Sequence, residues 1–199
     1  MPNVLVSGVY PSPVSTSSIS DSIFDLTLVK DTQEDKALRE ALRLLTPTRP
    51  DFRIADYAAS FNWDEISLEY ARQLNGFTHL PQRDEDSSPW YAVVFRSKRR
   101  KDCNNVDLFD ADRDAYNEAF KHTGGALLVY WYTDLDADFN CLATCVWTSR
   151  DKALSVNSLP AHRQASRLSA DSYEHYKIDR YNITWTQDTG RLELAKLDL

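Results

Sequence analysis

GALLVYWYT (Gly125–Thr133), CLATCVWTSRDKAL (Cys141–Leu154) and YKIDRYNITW (Tyr176–Trp185) are the three runs whose reading decides the fold. Each is rich in β-branched and aromatic residues and bounded by turn formers, which predicts a strand. The acidic turn Asp134–Asp138 between the first two predicts a hairpin. Pro160 stands at the favoured first position of a helix that the spacing carries to Tyr176, just before the third strand. Upstream, WYAVVFRS (Trp90–Ser97) is a nearly continuous apolar run, as expected of a central strand covered on both faces. Asp107–His122 follows as a helix with acids at its start and Thr123-Gly124-Gly125 at its end. From Trp90 onward the order is strand, helix, strand, strand, helix, strand, the split βαβ arrangement of an α+β ferredoxin-like domain, with its core at about 90–185.

Ahead of this core, Thr32–Leu45 and Asn62–Leu74 carry apolar residues at helical spacing, and Ile23–Lys30 alternates like an edge strand. Residues 1–22, rich in Ser, Pro and Val, read as an irregular arm, and 23–199 as one α+β domain with an N-terminal strand-helix extension. The polar loop Thr78–Pro89, with RDEDSSP at its centre, is placed as a lid would be. A further strand is expected over Arg191–Leu197. Leu127, Val129 and Trp131 alternate with Leu128, Tyr130 and Tyr132, so neither face of the sheet is polar. Either a second copy or the N-terminal segment must cover the second face; the expectation is a homodimer packed sheet on sheet.

Composition narrows the function classes. Apolar residues make up 42% and charged residues 27% of the 199, which is the balance of a globular protein. A net charge of −7 argues against nucleic acid as a partner, and the basic cluster Arg96–Lys101 is explained by a solvated strand end. With no apolar run approaching the ~20 residues of a membrane helix and no signal-peptide pattern at the start, a cytoplasmic protein without a membrane partner is expected. Cys141 and Cys145 sit ~13 Å apart on an extended strand, too far for a disulfide, and read as small core residues.

Two resemblances bear on kinship. WYAVVFRS, the GGALLVYWY run, LATCVWTSRDKAL and Pro160-x-His162-x-x-Ala165 leading to Tyr173 and IDRY resemble a family of fungal proteins of about this length with no known activity, over Phe61–Trp185. More loosely, the strand ending in Trp147-Thr148-Ser149, followed by a helix and a histidine near a second helix start, resembles dimeric α+β-barrel proteins. That second group includes cofactor-independent monooxygenases, isomerases and cyclases acting on small aromatic or polyketide compounds. The resemblance implies a homodimer and a small hydrophobic, oxygenated ligand such as those of secondary metabolism.

The residues supply candidates for that chemistry. His162, Ser166, Ser169 and Tyr173 fall on one helical stripe, so an imidazole and a phenol could share a pocket and move protons. A solvated helix face has the same pattern, and Ala161, Ala165, Leu168 and Tyr176 form the more apolar stripe. Tyr130, Tyr132 and Trp147 project from neighbouring strands as substrate-binding walls, with Arg96 as the strand cation for a developing oxyanion; aromatic residues on strands equally make plain core. No paired histidines, CxxC, GxSxG or Walker sequence is present, so chemistry without a cofactor or metal is expected. Three readings stand: a cofactor-independent enzyme with His162, Tyr173 and Arg96 as catalytic residues, a carrier with the same pocket, and an interaction protein whose aromatic sheet face is a partner surface.

Overall fold

The computed structural model describes residues 31–84 and 87–198, so the expected arm over 1–22 and strand over Ile23–Lys30 lie outside the described residues. Five strands form one antiparallel sheet: β1 (Trp90–Arg99), β2 (Leu127–Tyr132), β3 (Asn140–Trp147), β4 (Tyr173–Thr186) and β5 (Arg191–Lys196), in the spatial order β2-β3-β1-β4-β5. β1 is central, pairing with β3 on one side and β4 on the other. Both of its faces are covered, Ala92 and Val94 in one core cluster and Tyr91 in another, which explains why WYAVVFRS carries no solvent-facing alternation. Helix α3 (Asn105–Thr123) connects β1 to β2, and α4 (Arg150–Ser155) and α5 (Pro160–Ser172) connect β3 to β4. This is the ferredoxin-like α+β arrangement, with β5 added at the β4 edge.

Local chemistry sets the helix ends. The Asn104 side chain caps α3 by accepting from the Val106 and Asp107 amides, and Gly124 ends it in the left-handed region at φ 63°, which glycine enters without strain. Ser149 caps α4, and Pro160 opens α5. The last helix is shorter than the spacing predicts. It stops at Ser172, and Tyr173 is already extended, with φ −111° and ψ 138°. β4 therefore begins at Tyr173 rather than Lys177, as a 14-residue strand.

The sheet has two differently filled faces. Ala92, Val94, Leu142, Val146, Tyr181, Ile183 and Leu192 turn toward the N-terminal segment and are buried beneath it. Their cover is α1 (Gln33–Ala41), continued by a 3-10 turn at Leu42–Leu44, with α2 (Trp63–Leu74) and the segment between them. Leu38, Leu42, Tyr57, Ile66 and Tyr70 fill this main core. Arg39 ties α1 to the sheet edge by donating to the carbonyls of Gly125 at 2.7 Å and Leu127 at 2.9 Å. The face from which a sheet-on-sheet homodimer was expected is thus occupied by the chain's own N-terminal module, and any homodimer has to use another surface. Leu142→Ala is expected to cost about 2–5 kcal/mol of folding stability in urea denaturation. The midpoint should not vary with protein concentration; a midpoint rising with concentration would mean that a second copy shares this burial.

The polar loop also lies elsewhere than a lid would. Arg83 forms an ion pair with Asp35 of α1 and sits 4.7 Å over the Trp90 ring, while Trp90 Nε1–H donates to Asp35 at 2.7 Å. These contacts hold the loop against the α1 side of the sheet.

Candidate functional site

The opposite face of the sheet carries the cavity. β1 presents Tyr91, Val93 and Phe95 there, β3 presents Cys141, Ala143, Cys145 and Trp147, β2 presents Tyr130 and Tyr132, and β4 presents Tyr176, Ile178 and Arg180. Strand registers fix this shared orientation: Val93 lies between Cys145 and Arg180, and Phe95 between Ala143 and Ile178. A helix meant to fill the space above would carry Leu, Ile or Phe on its inner side. α5 reads PAHRQASRLSADS and offers Ala165, Ser166, Ser169 and Ala170 instead. The space left between sheet and helices is a cavity of about 770 Å³, within the range of small-molecule sites.

Polar groups gather where α3 crosses β2. Asp107, Asp110 and Asp114 of α3 are solvent-facing or nearly so, whereas Asp112 lines the cavity and accepts a hydrogen bond from the Tyr130 hydroxyl. Burial raises the Asp112 carboxyl above the ordinary carboxylate range, against the opposing effects of the Tyr130 bond and the Arg99 charge. Burial, then the charge of Asp112, pushes the Tyr130 phenol well above its usual range. The Tyr132 hydroxyl is buried and has no hydrogen-bond partner among the described residues. An unpaired buried hydroxyl is costly, so a group supplied by a ligand would be favoured there. Tyr116 and Tyr132 flank Tyr130 at ring-centre distances of 5.9 Å each, and Phe109 meets Tyr132 edge-on at 6.2 Å. Across the cavity Tyr173 stacks on Tyr176 at 5.5 Å, and its phenol is raised by burial against the influence of Arg99 and Ser169.

His162 and Trp147 also line the cavity. His162 is half-buried in the first turn of α5, and burial lowers its pKa against the charge of Glu118, so the neutral imidazole is favoured. Glu118 of α3 also accepts from the Ala161 amide at 2.9 Å, fixing the start of α5 against α3. Trp147 is buried, and its Nε1–H donates to Cys145 Sγ at 3.1 Å. Burial pushes the Cys145 thiol up to about 12, so it stays protonated at neutral pH and is a poor nucleophile.

Five of the six residues singled out from the sequence therefore meet around one cavity: His162, Tyr173, Tyr130, Tyr132 and Trp147. Arg96 does not. Strand alternation turns it to the other face with Ala92 and Val94, where it pairs with Asp179 at 3.2 Å and donates to the carbonyls of Phe52, Arg53 and Ala55. It is a structural clamp on the segment between α1 and α2. The arginines on the cavity side are Arg99 and Arg180 of the sheet and Arg163 and Arg167 of α5. Asp112 was not among the candidates because, at the acidic start of α3, it looks like one more group suited to the helix dipole. Helical spacing from the inward-facing Leu108, Ala115 and Ala119 carried the missed signal.

A model of the PB2B2.08-like family matches residues 16–196. The chain belongs to this family. Its PB2B2.08-like sequence is 28% identical over 133 residues to the UPF0643 protein PB2B2.08 of Schizosaccharomyces pombe, a match taking in 64% of this chain and 58% of that protein. The chain thus spans little more than half the length of this curated relative. Among solved structures, SnoaB, a cofactor-independent oxygenase from Streptomyces nogalater, is similar at 11% identity and a TM-score of 0.40, over 50% of this chain and 98% of that one. A putative antibiotic biosynthesis monooxygenase from Caulobacter crescentus is similar at 13% identity and 0.42, over 49% and 92% of the two chains. Hydroxynitrile lyase from Passiflora edulis is similar at 11% and 0.40, over 49% and 96%. Likeness at this level says nothing about the reaction of the present chain.

Proposed function

We propose that this PB2B2.08-like protein binds one small, largely apolar, oxygenated molecule in the cavity between the sheet and α3/α5, and moves a proton on it without a bound cofactor. The cavity itself carries the reading: about 770 Å³ of space walled by Tyr130, Tyr132, Trp147, Tyr173 and Tyr176, with polar and charged groups interspersed among the aromatic and aliphatic lining. Flat aromatic walls supply affinity through buried area and ring contacts. The partnerless Tyr132 hydroxyl, together with His162 and Tyr173, supplies direction and candidate proton donors or acceptors. Enolisation, cyclisation or attack of a substrate carbanion on oxygen all fit such an inventory. The proposed setting is the cytosol, where Cys141 and Cys145 remain thiols.

Intrinsic fluorescence tests the binding step. Small bicyclic phenols and ketones are expected to quench tryptophan emission and raise the melting temperature together, as binding to the folded state alone requires. Trp147→Phe should remove most of the quench while the melting shift persists. If no such compound shifts melting, or the quench survives intact in Trp147→Phe, the ligand does not sit in this cavity.

A further inference from the structure

Resting on the cavity reading above, we propose that Asp112 is the proton acceptor of this site and Tyr132 the donor to a developing oxyanion, so that the substrate class is an enolisable aromatic or polycyclic carbonyl compound. Neither residue is free to be ordinary filling. Asp112 is the carboxylate of α3 whose side chain lines the cavity beside Tyr130 and Tyr132. The Tyr130 hydroxyl takes Oδ2 and leaves Oδ1 for a ligand. That bond orients the carboxylate as a second residue orients a catalytic base. Tyr132 stands on the same strand face as Tyr130, two residues along, with ring centres 5.9 Å apart. Its hydroxyl is buried and without a partner among the described residues. The structure thus sets a base and an unused hydrogen-bond donor side by side, and around them an apolar wall of Phe109, Leu108 and Ala143. Burial of the Tyr132 hydroxyl strengthens its hydrogen bond to an oxyanion forming against it.

The chemistry closes without a co-reactant. Asp112 removes the proton from a carbon next to the carbonyl, the C–H electron pair becomes the enolate π bond, and the carbonyl π pair moves to oxygen, where the Tyr132 O–H donates. Once the proton held by Asp112 has exchanged with solvent, its return to the original carbon gives hydrogen exchange, while return of the proton to a conjugated carbon gives isomerisation; either step regenerates the carboxylate. Burial holds the Asp112 carboxyl above the usual range, which brings the base closer to the task. The groups facing it are Arg99 of β1, Tyr130 and Tyr132 of β2, Cys141 and Cys145 of β3, and Tyr173 and Tyr176 of β4. Of these Arg99 is the cation, and it opposes the rise.

The test follows β-tetralone in heavy water, with deuterium entry at its acidic carbon read by proton NMR and binding read separately by fluorescence and melting shift. The wild-type protein should accelerate exchange over buffer. Asp112→Asn, nearly isosteric, should lower that acceleration by about 10²–10⁴-fold while binding is retained. Tyr132→Phe should lower it by about 10²-fold. For the wild type, the rate should fall as pH falls through the Asp112 ionisation, whose midpoint is expected above the ~3.9 of a free aspartate. This profile needs no variant to fold. Asp112→Asn exchanging like wild type, or binding with no exchange above buffer, overturns the catalytic assignment and leaves the binding reading intact. Absence of binding by fluorescence and by melting shift would instead overturn the cavity reading on which it rests.

Discussion

Arg96→Ala is expected to lower folding stability by about 3–5 kcal/mol while leaving ligand affinity unchanged in the protein that remains folded. Arg96 is 8% exposed, and its guanidinium fans out to four acceptors: Asp179 at 3.2 Å and the carbonyls of Phe52, Arg53 and Ala55. Truncation leaves the three carbonyls of the segment between α1 and α2 without this donor, next to the main core that the segment helps to close. Asp179 keeps Lys177 at 3.1 Å and Lys196 at 3.0 Å, so the larger part of the loss falls on the carbonyls. Arg96→Lys should recover only a fraction, because one ammonium cannot reproduce the planar fan of donors. The pH dependence has a definite sign. Burial raises the Asp179 carboxyl, but hydrogen bonds from Lys196, Lys177 and Arg96 outweigh it and hold the group below the ordinary range. Its stabilising contribution is therefore fully present above ~pH 4 and is lost as pH falls through the lowered folded value. Urea midpoints at neutral and acid pH measure both effects. An Arg96→Ala protein as stable as wild type, or one that loses binding while fully folded, would return Arg96 to the list of site residues.

The same residue shows where the sequence stops being informative. β1 is apolar on both faces, so its alternation says that Arg96 sits with Ala92 and Val94 and apart from Tyr91, Val93 and Phe95. It does not say which set faces the helices. That choice depends on pairing with β3 and β4 and on where residues 31–74 pack, both of which are long-range. The strands themselves, the β2–β3 hairpin and the Gly124 helix end were legible because period and turn chemistry are local. The boundary at Tyr173 was not, since the helical spacing of His162, Ser166, Ser169 and Tyr173 runs past the point where the chain turns extended. Even so the stripe was a true signal: all four residues line the cavity. The weakly apolar character of α5, which first reads as a solvated helix, is the physical reason that a cavity exists under it. Asp112 was hidden for the opposite reason, being one acid among several at a helix start whose other acids are exposed.

Filling that cavity from α5 should separate binding from stability most sharply. Ala165 lines the space between His162 and Ser169 on a helix otherwise held in place by its packing on α3 and by Glu118 at its first turn. In Ala165→Trp the indole is expected to enter space that now holds no side chain, so melting should stay near the wild-type temperature or rise. Ligand affinity should fall by at least about 100-fold, which corresponds to roughly 2.7 kcal/mol, because the ring and the ligand compete for one volume. This pairing of outcomes is the reverse of Leu142→Ala, where a packed core loses atoms and stability falls. It also separates the two small-molecule readings of the site from the third. An enzyme and a carrier both lose their ligand in Ala165→Trp, whereas a protein that uses its outer surface to hold a partner keeps that partner. Wild-type ligand affinity in the variant would place the ligand outside the cavity. A melting temperature lowered by many degrees would show that α5 and the sheet already fill the space between them, and the argument from an open aromatic cavity to a small-molecule site would fall with it.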